Sequence, residues 1–494
     1  MKALESLPRK VKGRKVKATM ALRVFNTLTK RVEEFLPIRK GKVSMYVCGP
    51  TVYDYIHIGN ARSFVAFDII RRYLEYKGYE VTYVSNLTDV DDKTIRRAKE
   101  MRISLQQLGE KYSDAYFEDI AKLDIKKPDI NPRATQHIEE IINFIQTLID
   151  KEYAYVVDGD VYYDVSRFED YGKLSGAKTE ALRAGARIEI DPRKRNPADF
   201  ALWKKQKLGE PAWDSPWSKG RPGWHIECSV MSMRYLGETF DVHTGGKDLI
   251  FPHHENEVAQ SEAATGKPFA KYWLHNEWLT VNGEKMSKSL GNFITAREAI
   301  EKYGSRVVRF FLASTHYRSP IDFNDVDLKQ AKRRLERLVD DIEKLNALKE
   351  TEVKDADSEA LLQQAERVKQ RFEEAMDDDF NTALAISALF DLVKEINRYV
   401  ETHTEIEAQI KRNVSEIMKR LVQDVLGITI ERRRPESAKL VEDLMDLVIE
   451  IRQQMRERKD WKTADEIREK LQDIGFVIED VREGTKWKIK RRKV

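Results

Sequence analysis

The stretch from residue 42 to residue 87 limits the possible folds of this chain more than any other. Residues 42–49, KVSMYVCG, alternate valine or methionine with other side chains, with the period of two that is typical of a strand. Residues 61–78, ARSFVAFDIIRRYLEYKG, carry apolar side chains at helical spacing and end in glycine, a common helix terminator. Residues 79–87, YEVTYVSNL, return to the strand pattern. Strand, helix and strand in this order form a right-handed βαβ unit, so we predict an α/β fold with a parallel sheet.

The sheet domain is predicted to be split by an insertion. Residues 239–246, TFDVHTGG, have the pattern of a strand that returns to the sheet, and Asn282-Gly283 is a strong signal for a two-residue hairpin turn. From about residue 325 the sequence is rich in Leu, Lys and Glu at helical spacing. We therefore expect a basic N-terminal extension, 1–19; a split Rossmann-type domain, 20–320, with an insertion at about 125–220; a helical bundle, 321–430; and a small C-terminal module, 431–494.

The composition restricts the location of the chain more than its partners. Its 87 Lys and Arg nearly cancel its 83 Asp and Glu, so a net charge of +4 indicates little about binding. Residues 1–20 contain seven basic residues and one Glu. Either they are a disordered tail or a segment upstream of a translation start at Met20, or they form a basic arm that contacts RNA. That segment lacks the apolar centre of a secretion signal, and no apolar run of about 18 residues is present. We expect a cytoplasmic protein with no membrane span.

Two of the nine histidines stand side by side in FPHHENEVAQ, residues 251–260. In a helix, side chains at i and i+4 share a face, so one turn aims His253 and Glu257 at the same point. His254 and Glu255 are then predicted to point elsewhere. Taken alone, a His–Glu pair at this spacing is more typical of a surface ion pair than of a metal site.

The two cysteines change the interpretation of that pair. Cys48 ends the first predicted strand, and Cys228 lies just before the second half of the sheet. In a reducing cytosol the alternatives are buried inert thiols or metal ligands. The carboxyl ends of parallel strands gather at one edge, where distant residues converge. Two thiolates, an imidazole and a carboxylate suit zinc, so we predict a zinc site.

A first nucleotide motif lies at the turn that opens the first helix. Backbone N–H groups and the helix dipole suit phosphate at such a turn. Gly59 permits close approach, while His57 and Asn60 offer hydrogen-bond donors to a phosphate. The HIGN match by itself is weakly specific.

A second motif, KMSKS at residues 285–289, is predicted on a loop after the hairpin. Lys285 and Lys288 there can neutralise the charge of a triphosphate, and positioning and electrostatics dominate phosphate chemistry. A charged loop is usually only solvated, but this pentapeptide is highly specific. The two motifs together resemble those of the class I aminoacyl-tRNA synthetases.

The resemblance narrows to the cysteinyl-tRNA synthetase family. The matching segments, in order between residues 45 and 292, are MYVCGPTVYDYIHIGNARS, NLTDVDDK, NPADFALWK, WDSPW, GRPGWHIECS, HTGGKDLIFPHHENE and KMSKSLGN. Weaker similarity continues through DDDFNTALAISALF and KDWKTADEIREKLQDIGFVIEDVREGTKW. The resemblance implies a Rossmann-type catalytic domain with an inserted connective segment, a helical bundle that binds tRNA and a C-terminal anticodon-binding module.

The resemblance also implies a role for the metal. Zn²⁺ would be held by Cys48, Cys228, His253 and Glu257, and would receive the sulfur of the substrate. A hydrophobic pocket separates cysteine from serine by only about 1–3 kcal/mol, whereas zinc prefers a soft thiolate to an alcohol. The metal would therefore supply the selectivity, and no editing domain would be needed.

By the same resemblance, L-cysteine attacks the α-phosphorus of ATP, with Mg²⁺ on the leaving pyrophosphate, and the cysteinyl group then passes to tRNA(Cys). His57 and Asn60 would stabilise the transition state, and Lys285 and Lys288 would hold the departing phosphates. Asn60 stands where the class-wide motif has His, which leaves the role of a second imidazole open. We expect a monomer.

The remaining implied sites concern the amino acid and the anticodon. Thr88 and Trp224 match positions that line the amino-acid pocket, and His243 lies near them; ordinary packing is the alternative. The positions implied for anticodon contacts, where bases stack on aromatic groups, are Arg456, Trp461, Asp465 and Asp480. A capped helix pair with surface charge is the alternative there.

Two other functions fit parts of the pattern. A ligase with the same core that joins cysteine to an amino-sugar is one, but the relatives of that kind look truncated at the C-terminus. An RNA-binding factor with an inactive nucleotide fold is the other, and the intact motif lysines and the four predicted metal ligands argue against it.

Overall fold

The computed structural model describes residues 21–176, 191–287, 290–353, 355–430, 436–481 and 484–489. Two compact units are present, one of residues 1–430 and one of residues 431–494. In the described part of the chain, no helix is long and apolar enough to cross a membrane. The predicted basic extension, residues 1–19, lies outside the described residues.

A four-stranded parallel sheet forms the centre of the first unit and confirms the α/β prediction. Its order is β10-β9-β3-β4, so β3 is held by a parallel neighbour on each side. A short antiparallel pair, β1 and β2, precedes it. The strands are β1 (Arg23–Asn26), β2 (Arg31–Glu34), β3 (Lys42–Val47), β4 (Glu80–Ser85), β9 (Phe240–Gly246) and β10 (Ala270–Asn276).

Helix α1 (Ile58–Tyr76) connects β3 to β4, as the βαβ pattern predicts. It begins earlier than expected because His57 caps it. The chain leaves the helix through Gly78, whose φ of 90° suits glycine. Three helices complete the first half of the unit: α2 (Asp92–Met101), α3 (Leu105–Lys122) and α4 (Ile138–Asp150).

The segment between the halves of the parallel sheet has a sheet of its own. Its strands run antiparallel in the order β5-β6-β7-β8 and share a core with α4. Residues 130–133 still lie beside the end of β4, through the pairs Val84–Ile130 and Leu87–Arg133. The four strands are β5 (Ala154–Val157), β6 (Asp160–Tyr163), β7 (Phe200–Lys205) and β8 (Gly220–Pro222).

Two helices flank β9, and the predicted hairpin follows β10. Asn282 and Gly283 have φ of 52° and 80°, which suits the turn of a two-residue hairpin. Lys285 is paired in strand β12 rather than placed on the loop after the hairpin. The elements are α5 (Trp224–Leu236), α6 (Glu255–Thr265), β11 (Leu279–Val281), β12 (Glu284–Lys285), α7 (Ala296–Tyr303), α8 (Ser305–Ala313) and β13 (Ile321–Phe323).

The rest of the first unit is helical, as its Leu-, Lys- and Glu-rich sequence predicts. Two three-residue strands pair between its helices, and a π-helical stretch, Lys419–Val425, follows the last of them. The elements are α9 (Asp325–Ala347), β14 (Lys349–Thr351), α10 (Ala356–Asp377), α11 (Thr382–Thr402), β15 (Glu405–Glu407) and α12 (Ala408–Met418).

The second unit consists of two helices and a hairpin around a small core of Met445, Leu471 and Ile478. Its elements are α13 (Glu436–Glu457), α14 (Trp461–Asp473), β16 (Phe476–Val481) and β17 (Gly484–Ile489). From its sequence pattern, the region from about 436 to 494 predicts two helices, a short strand in GFVIEDV and a basic end, KWKIKRRKV. The two helices and the first strand are found as expected, whereas β17 occupies part of the basic end, for which no strand was predicted.

Candidate active site and metal centre

Four of the predicted metal ligands meet at the carboxyl edge of the parallel sheet. Cys48 directly follows β3, and Cys228 lies on α5. His253 lies in a π-helical turn, Ile250–His254, that leads into α6, and Glu257 lies in the first turn of α6. One ligand atom from each lies within 4.8 Å of all the others. Apart from the half-buried Cys48, these side chains are at most 2% exposed.

The backbone fixes where the first thiol lies. The N–H of Cys48 donates to the carbonyl of Thr244 in β9 at 3.2 Å. The next residue, Gly49, donates its N–H to Oδ1 of Asn86 at 2.9 Å, and a Cβ at Gly49 would collide with the Asn86 carbonyl. Only glycine lets the chain cross the end of β4 this closely, so the position of the Cys48 thiol depends on that contact.

The four groups interact strongly. Nε2 of His253 lies 2.9 Å from Oε1 of Glu257, and Sγ of Cys48 lies 3.8 Å from the same oxygen. Burial would raise the pKa of Glu257, but His243 and His253 lower it to about 2. Burial would lower the pKa of His253, but Glu257 and Cys228 raise it to about 10.

The two thiols differ in acidity. A hydrogen bond with Cys48 lowers the pKa of Cys228 to about 6, against the effect of burial. Burial raises the pKa of Cys48 well above its usual value. Cys228 is therefore the more readily ionised of the two, and a thiolate is the form that binds metal.

The prediction that His254 points away is wrong. Its Nε2 lies 3.2 Å from Sγ of Cys48, and it belongs to a second set of possible ligands with Cys48, His243 and Glu257. Positions i and i+3 share a helix face as i and i+4 do, so His254 also lies on the side of Glu257. Glu255 does point away, and accepts hydrogen bonds from the backbone at Gly172 and Ser175, at 2.8 and 2.7 Å.

Five of the nine histidines lie in one buried cluster around the ligands. The Nδ1 atoms of His225 and His253 are 2.9 Å apart, and Nδ1 of His254 is 2.7 Å from Nε2 of His275. Nε2 of His243 lies 2.8 Å from Oε2 of Glu257. Burial lowers the pKa of His225 and His254 well below the usual value, and that of His275 to about 3.

His225, His254 and His275 were not predicted from the sequence to belong to this cluster. The concentration of histidine between residues 225 and 275 was the available signal, but it did not indicate which rings face the ligands.

The donor set fits zinc. Two thiols, an imidazole and a carboxylate belong to its usual ligands, and their approach within one small volume allows four-coordinate binding. Neighbouring groups orient the ligands as expected for a metal site, since His225 and His243 hold His253 and Glu257 in place.

The residues predicted for the amino-acid pocket lie beside this centre. The ring of Trp224 stacks on His253 with centroids 4.3 Å apart, and remains 41% exposed. Thr88 is almost fully buried, and its hydroxyl accepts a hydrogen bond from Nδ2 of Asn86 at 3.2 Å. His243 is fully buried and stacks on Trp273 at 4.4 Å.

Glu227 is a further acidic side chain near the pocket that the sequence analysis did not select. It is fully buried on α5, next to Cys228. Burial, followed by the charges of Cys228 and Asp89, raises the pKa of its carboxyl well above the usual range.

The HIGN residues form a reciprocal cap at the start of α1. The backbone N–H of Asn60 donates to Nδ1 of His57 at 3.1 Å, and the backbone N–H of His57 donates to Oδ1 of Asn60 at 3.2 Å. Because each acceptor is used inside the cap, the neutral ring carries its proton on Nε2. The side-chain donors that this cap does not use are Nε2–H of His57 and the amide NH₂ of Asn60.

The segment that follows the second motif is hydrogen-bonded to the start of α1. The N–H of Ile58 donates to the carbonyl of Ile294 at 3.0 Å, and the N–H of Ala296 donates to the carbonyl of Ile56 at 2.8 Å. A Cβ at Gly59 would lie 3.6 Å from the methyl group of Met286. Lys285 precedes that residue on β12, and Lys288 lies outside the described residues.

The residues predicted for anticodon contacts lie in the second unit. Trp461 is the first residue of α14 and is 56% exposed, and Asp465 is exposed one turn later on the same helix face. Arg456 is half-buried in the last turn of α13. Asp480 lies on β16, and its side chain is outside the described part of the structure.

Comparison with known proteins agrees with this arrangement over nearly the whole chain. Residues 34–333 match the tRNA synthetases class I (C) catalytic domain, residues 371–431 the DALR domain and residues 445–487 the cysteinyl-tRNA ligase anticodon binding domain. The cysteine–tRNA ligase of Carboxydothermus hydrogenoformans is 52% identical over 470 residues, which cover 94% of this chain and 100% of the relative. The chain belongs to the cysteinyl-tRNA synthetase family.

A relative from a different source has a similar identity. The cysteine–tRNA ligase of Thermococcus onnurineus is 49% identical over 473 residues, which cover 95% of this chain and 99% of the relative. Among solved structures, methionyl-tRNA synthetase of Mycobacterium tuberculosis in complex with methionyl-adenylate has a TM-score of 0.59 at 17% identity, covering 78% of this chain and 92% of that one. At that identity the likeness shows the fold alone.

Proposed function

We propose that this member of the cysteinyl-tRNA synthetase family activates L-cysteine with ATP to cysteinyl-adenylate and pyrophosphate. It then transfers the cysteinyl group to the 3′ end of tRNA(Cys). The observation that supports this most is the approach of Cys48, Cys228, His253 and Glu257 within 4.8 Å at the carboxyl edge of the sheet. Ligands of open α/β sheets bind at that edge.

The same four residues would hold Zn²⁺. Bound there, zinc supplies a soft Lewis acid that binds the thiolate of cysteine far better than the hydroxyl of serine. The protein contributes a rigid and buried frame, since His225 and His243 bond to two of the ligands. Thr88 and Trp224 would border the rest of the substrate, with His243 behind Glu257.

The nucleotide end of the site would act through hydrogen bonds and charge. Nε2–H of His57 and the amide of Asn60 would donate to the α-phosphate as charge develops in the transition state. Lys285 and Lys288 would hold the departing pyrophosphate, with Mg²⁺ bound to ATP. Asn60 keeps the capping contact with His57, so a second imidazole is not needed to build this helix start.

The second unit would recognise the anticodon. Trp461 offers an exposed ring on which a base can stack, and Arg456, Asp465 and Asp480 would add polar contacts. We expect a monomer.

Activation without tRNA tests the first half of this proposal. We expect about one zinc per chain and exchange of pyrophosphate into ATP that depends on cysteine. Exchange with serine at the same rate would contradict selection by the metal, and an absence of exchange with any amino acid would favour an inactive nucleotide fold that binds RNA.

Charging assays test the second half. The chain contains the anticodon binding domain of its family, which favours tRNA over an amino-sugar as the acceptor. Total tRNA should accept cysteine, whereas amino-sugars should not; the reverse result would support the sugar-linked ligase.

A substitution in the second unit tests anticodon recognition. Trp461→Ala should weaken charging about tenfold, the loss of one stacked base, and leave pyrophosphate exchange unchanged. Lys462→Ala, at the adjacent exposed position, is the matched control. Loss of both activities in Trp461→Ala would instead identify Trp461 as a structural residue.

A further inference from the structure

An exposed aromatic ring lies at the same edge of the sheet as the metal centre. Trp278 follows the carboxyl end of β10 by two residues, and Lys247 directly follows β9. The ring of Trp278 is 53% exposed, more than that of Trp224 beside the metal ligands. The ring therefore lies at the edge where ligands of open α/β sheets bind.

The backbone beneath this ring is fixed. Nη1 of the buried Arg62 donates to the carbonyl of Trp278 at 3.0 Å, and the same guanidinium donates to the carbonyl of Tyr317 at 3.2 Å. The N–H of Trp278 donates to Oε1 of Glu277 at 3.3 Å. The ring is therefore presented by an ordered segment, which reduces the entropy lost when a ligand stacks on it.

Two lysines lie over the ring. Nζ of Lys247 is 5.3 Å and Nζ of Lys285 is 5.8 Å from its centroid. Glu277 holds Lys247 through a contact of 2.7 Å. Lys285 belongs to the motif assigned above to phosphate, so the aromatic surface and the phosphate-binding charge are adjacent.

This combination matches one class of ligand. A nucleotide carries a flat base, which stacks on aromatic rings, next to a phosphate, which attracts lysine.

We propose that Trp278 is a stacking platform for a nucleotide base, with Lys247 and Lys285 directed to the attached phosphate. The proposal deepens the aminoacylation function above and rests on it. Two sources supply such a base at this edge, the adenine of ATP and the unpaired nucleotides at the 3′ end of tRNA.

Steady-state kinetics of Trp278→Ala and Trp278→Phe separate the two sources. Loss of one stacked base corresponds to a weakening of about 5- to 150-fold. If the base belongs to ATP, Trp278→Ala raises the KM for ATP in pyrophosphate exchange without tRNA. If it belongs to tRNA, exchange is unchanged and the KM for tRNA in charging rises. In both cases Trp278→Phe, which keeps a flat ring, recovers most of the loss.

Two further variants complete the experiment. Lys247→Ala should weaken the binding of the same substrate by a smaller factor. Leu36→Ala, at an exposed apolar residue beside the start of β10, should change neither KM. Unchanged KM values for both ATP and tRNA in Trp278→Ala would overturn the proposal. Equal losses in Trp278→Phe and Trp278→Ala, or a lowered melting temperature in both, would overturn it in favour of a packing role.

Failure of this proposal is distinguishable from failure of the proposed function. Wild-type protein without cysteine-dependent exchange would refute the function itself. Wild-type protein with full exchange and charging, together with a silent Trp278→Ala, would refute only the platform.

Discussion

The two ends of the active site are built in opposite ways. At the amino-acid end, two thiols, five imidazoles and a carboxylate are packed together and almost all are buried. At the nucleotide end, His57 and Asn60 use part of their hydrogen-bonding groups to cap a helix, and both are only half-buried, while Lys285 is exposed. One end is enclosed and crowded, while the other is open.

The difference follows from what each end has to distinguish. Cysteine and serine differ in one atom, so selection requires ligands whose positions are fixed before the substrate arrives. A triphosphate needs no such discrimination. Positive charges and hydrogen-bond donors placed where negative charge develops in the transition state are sufficient. Substitutions at the two ends should therefore fail in different measurements.

The largest effect is expected from removal of a metal ligand. Cys228→Ala leaves three of the four donors, and we expect zinc affinity to fall by on the order of 10³-fold, with loss of cysteine activation. Metal analysis and pyrophosphate exchange measure both quantities. Ser232→Ala, a buried change on the same helix, should retain zinc and activity. Full zinc content in Cys228→Ala would remove Cys228 from the ligand set.

At the nucleotide end, His57→Asn should lower the rate of exchange by about 10²–10³-fold, the effect of losing one preorganised donor. Asparagine is itself a good N-cap, so α1 should keep its start, and the melting temperature should change little. Zinc content should equal that of the wild type. A simultaneous loss of zinc would show that the two ends are not independent.

Acid should act on the enclosed end through Glu257. The folded pKa of its carboxyl is about 2, below the usual 4.5, so its contribution to stability is present above pH 4.5 and is lost as the pH falls through 2. A shift of this size corresponds to roughly 3 kcal/mol in the free energy of unfolding. Denaturant titrations of chelator-treated protein between pH 2 and 6 should show this loss, and Glu257→Gln should lack it. Parallel pH profiles for the two proteins would contradict the assignment.

The smallest effect is expected from the residues behind the ligands. His243 bonds to Glu257, and outer partners of this kind affect metal affinity by about 10–100-fold. His243→Ala should weaken zinc by that factor in a competition with a chelator, and His243→Gln, which keeps a donor, should recover part of it. If His243→Gln behaves like His243→Ala, the ring acts by packing on Trp273 and not by its hydrogen bond.

Much of this architecture was predictable, because it depends on local patterns. The βαβ unit follows from a change of apolar period between residues 42 and 87, and the hairpin at Asn282-Gly283 from turn chemistry. Cys48, Cys228, His253 and Glu257 were selected by ligand chemistry and by the edge where parallel strands end, and the structure brings these four together.

The parts that escaped prediction depend on contacts between distant segments. The ring of His275 reaches the cluster because β10 pairs with β9, which sequence spacing does not reveal. Strand β17 was missed although Trp487 and Ile489 alternate with lysines, because that segment was interpreted only as a basic end; it forms by pairing with β16. The place of Lys285 on β12 likewise depends on its pairing with β11.

The position of Cys48 has a consequence for how the chain matures. Side chains alternate between the two faces of a strand, so a slip of β3 by one residue against β9 or β4 would turn this sulfur to the opposite face. Tight uptake of zinc then requires the alignment of three strands from distant parts of the sequence. During refolding, the ability to tell cysteine from serine should appear together with sheet assembly, and not before it.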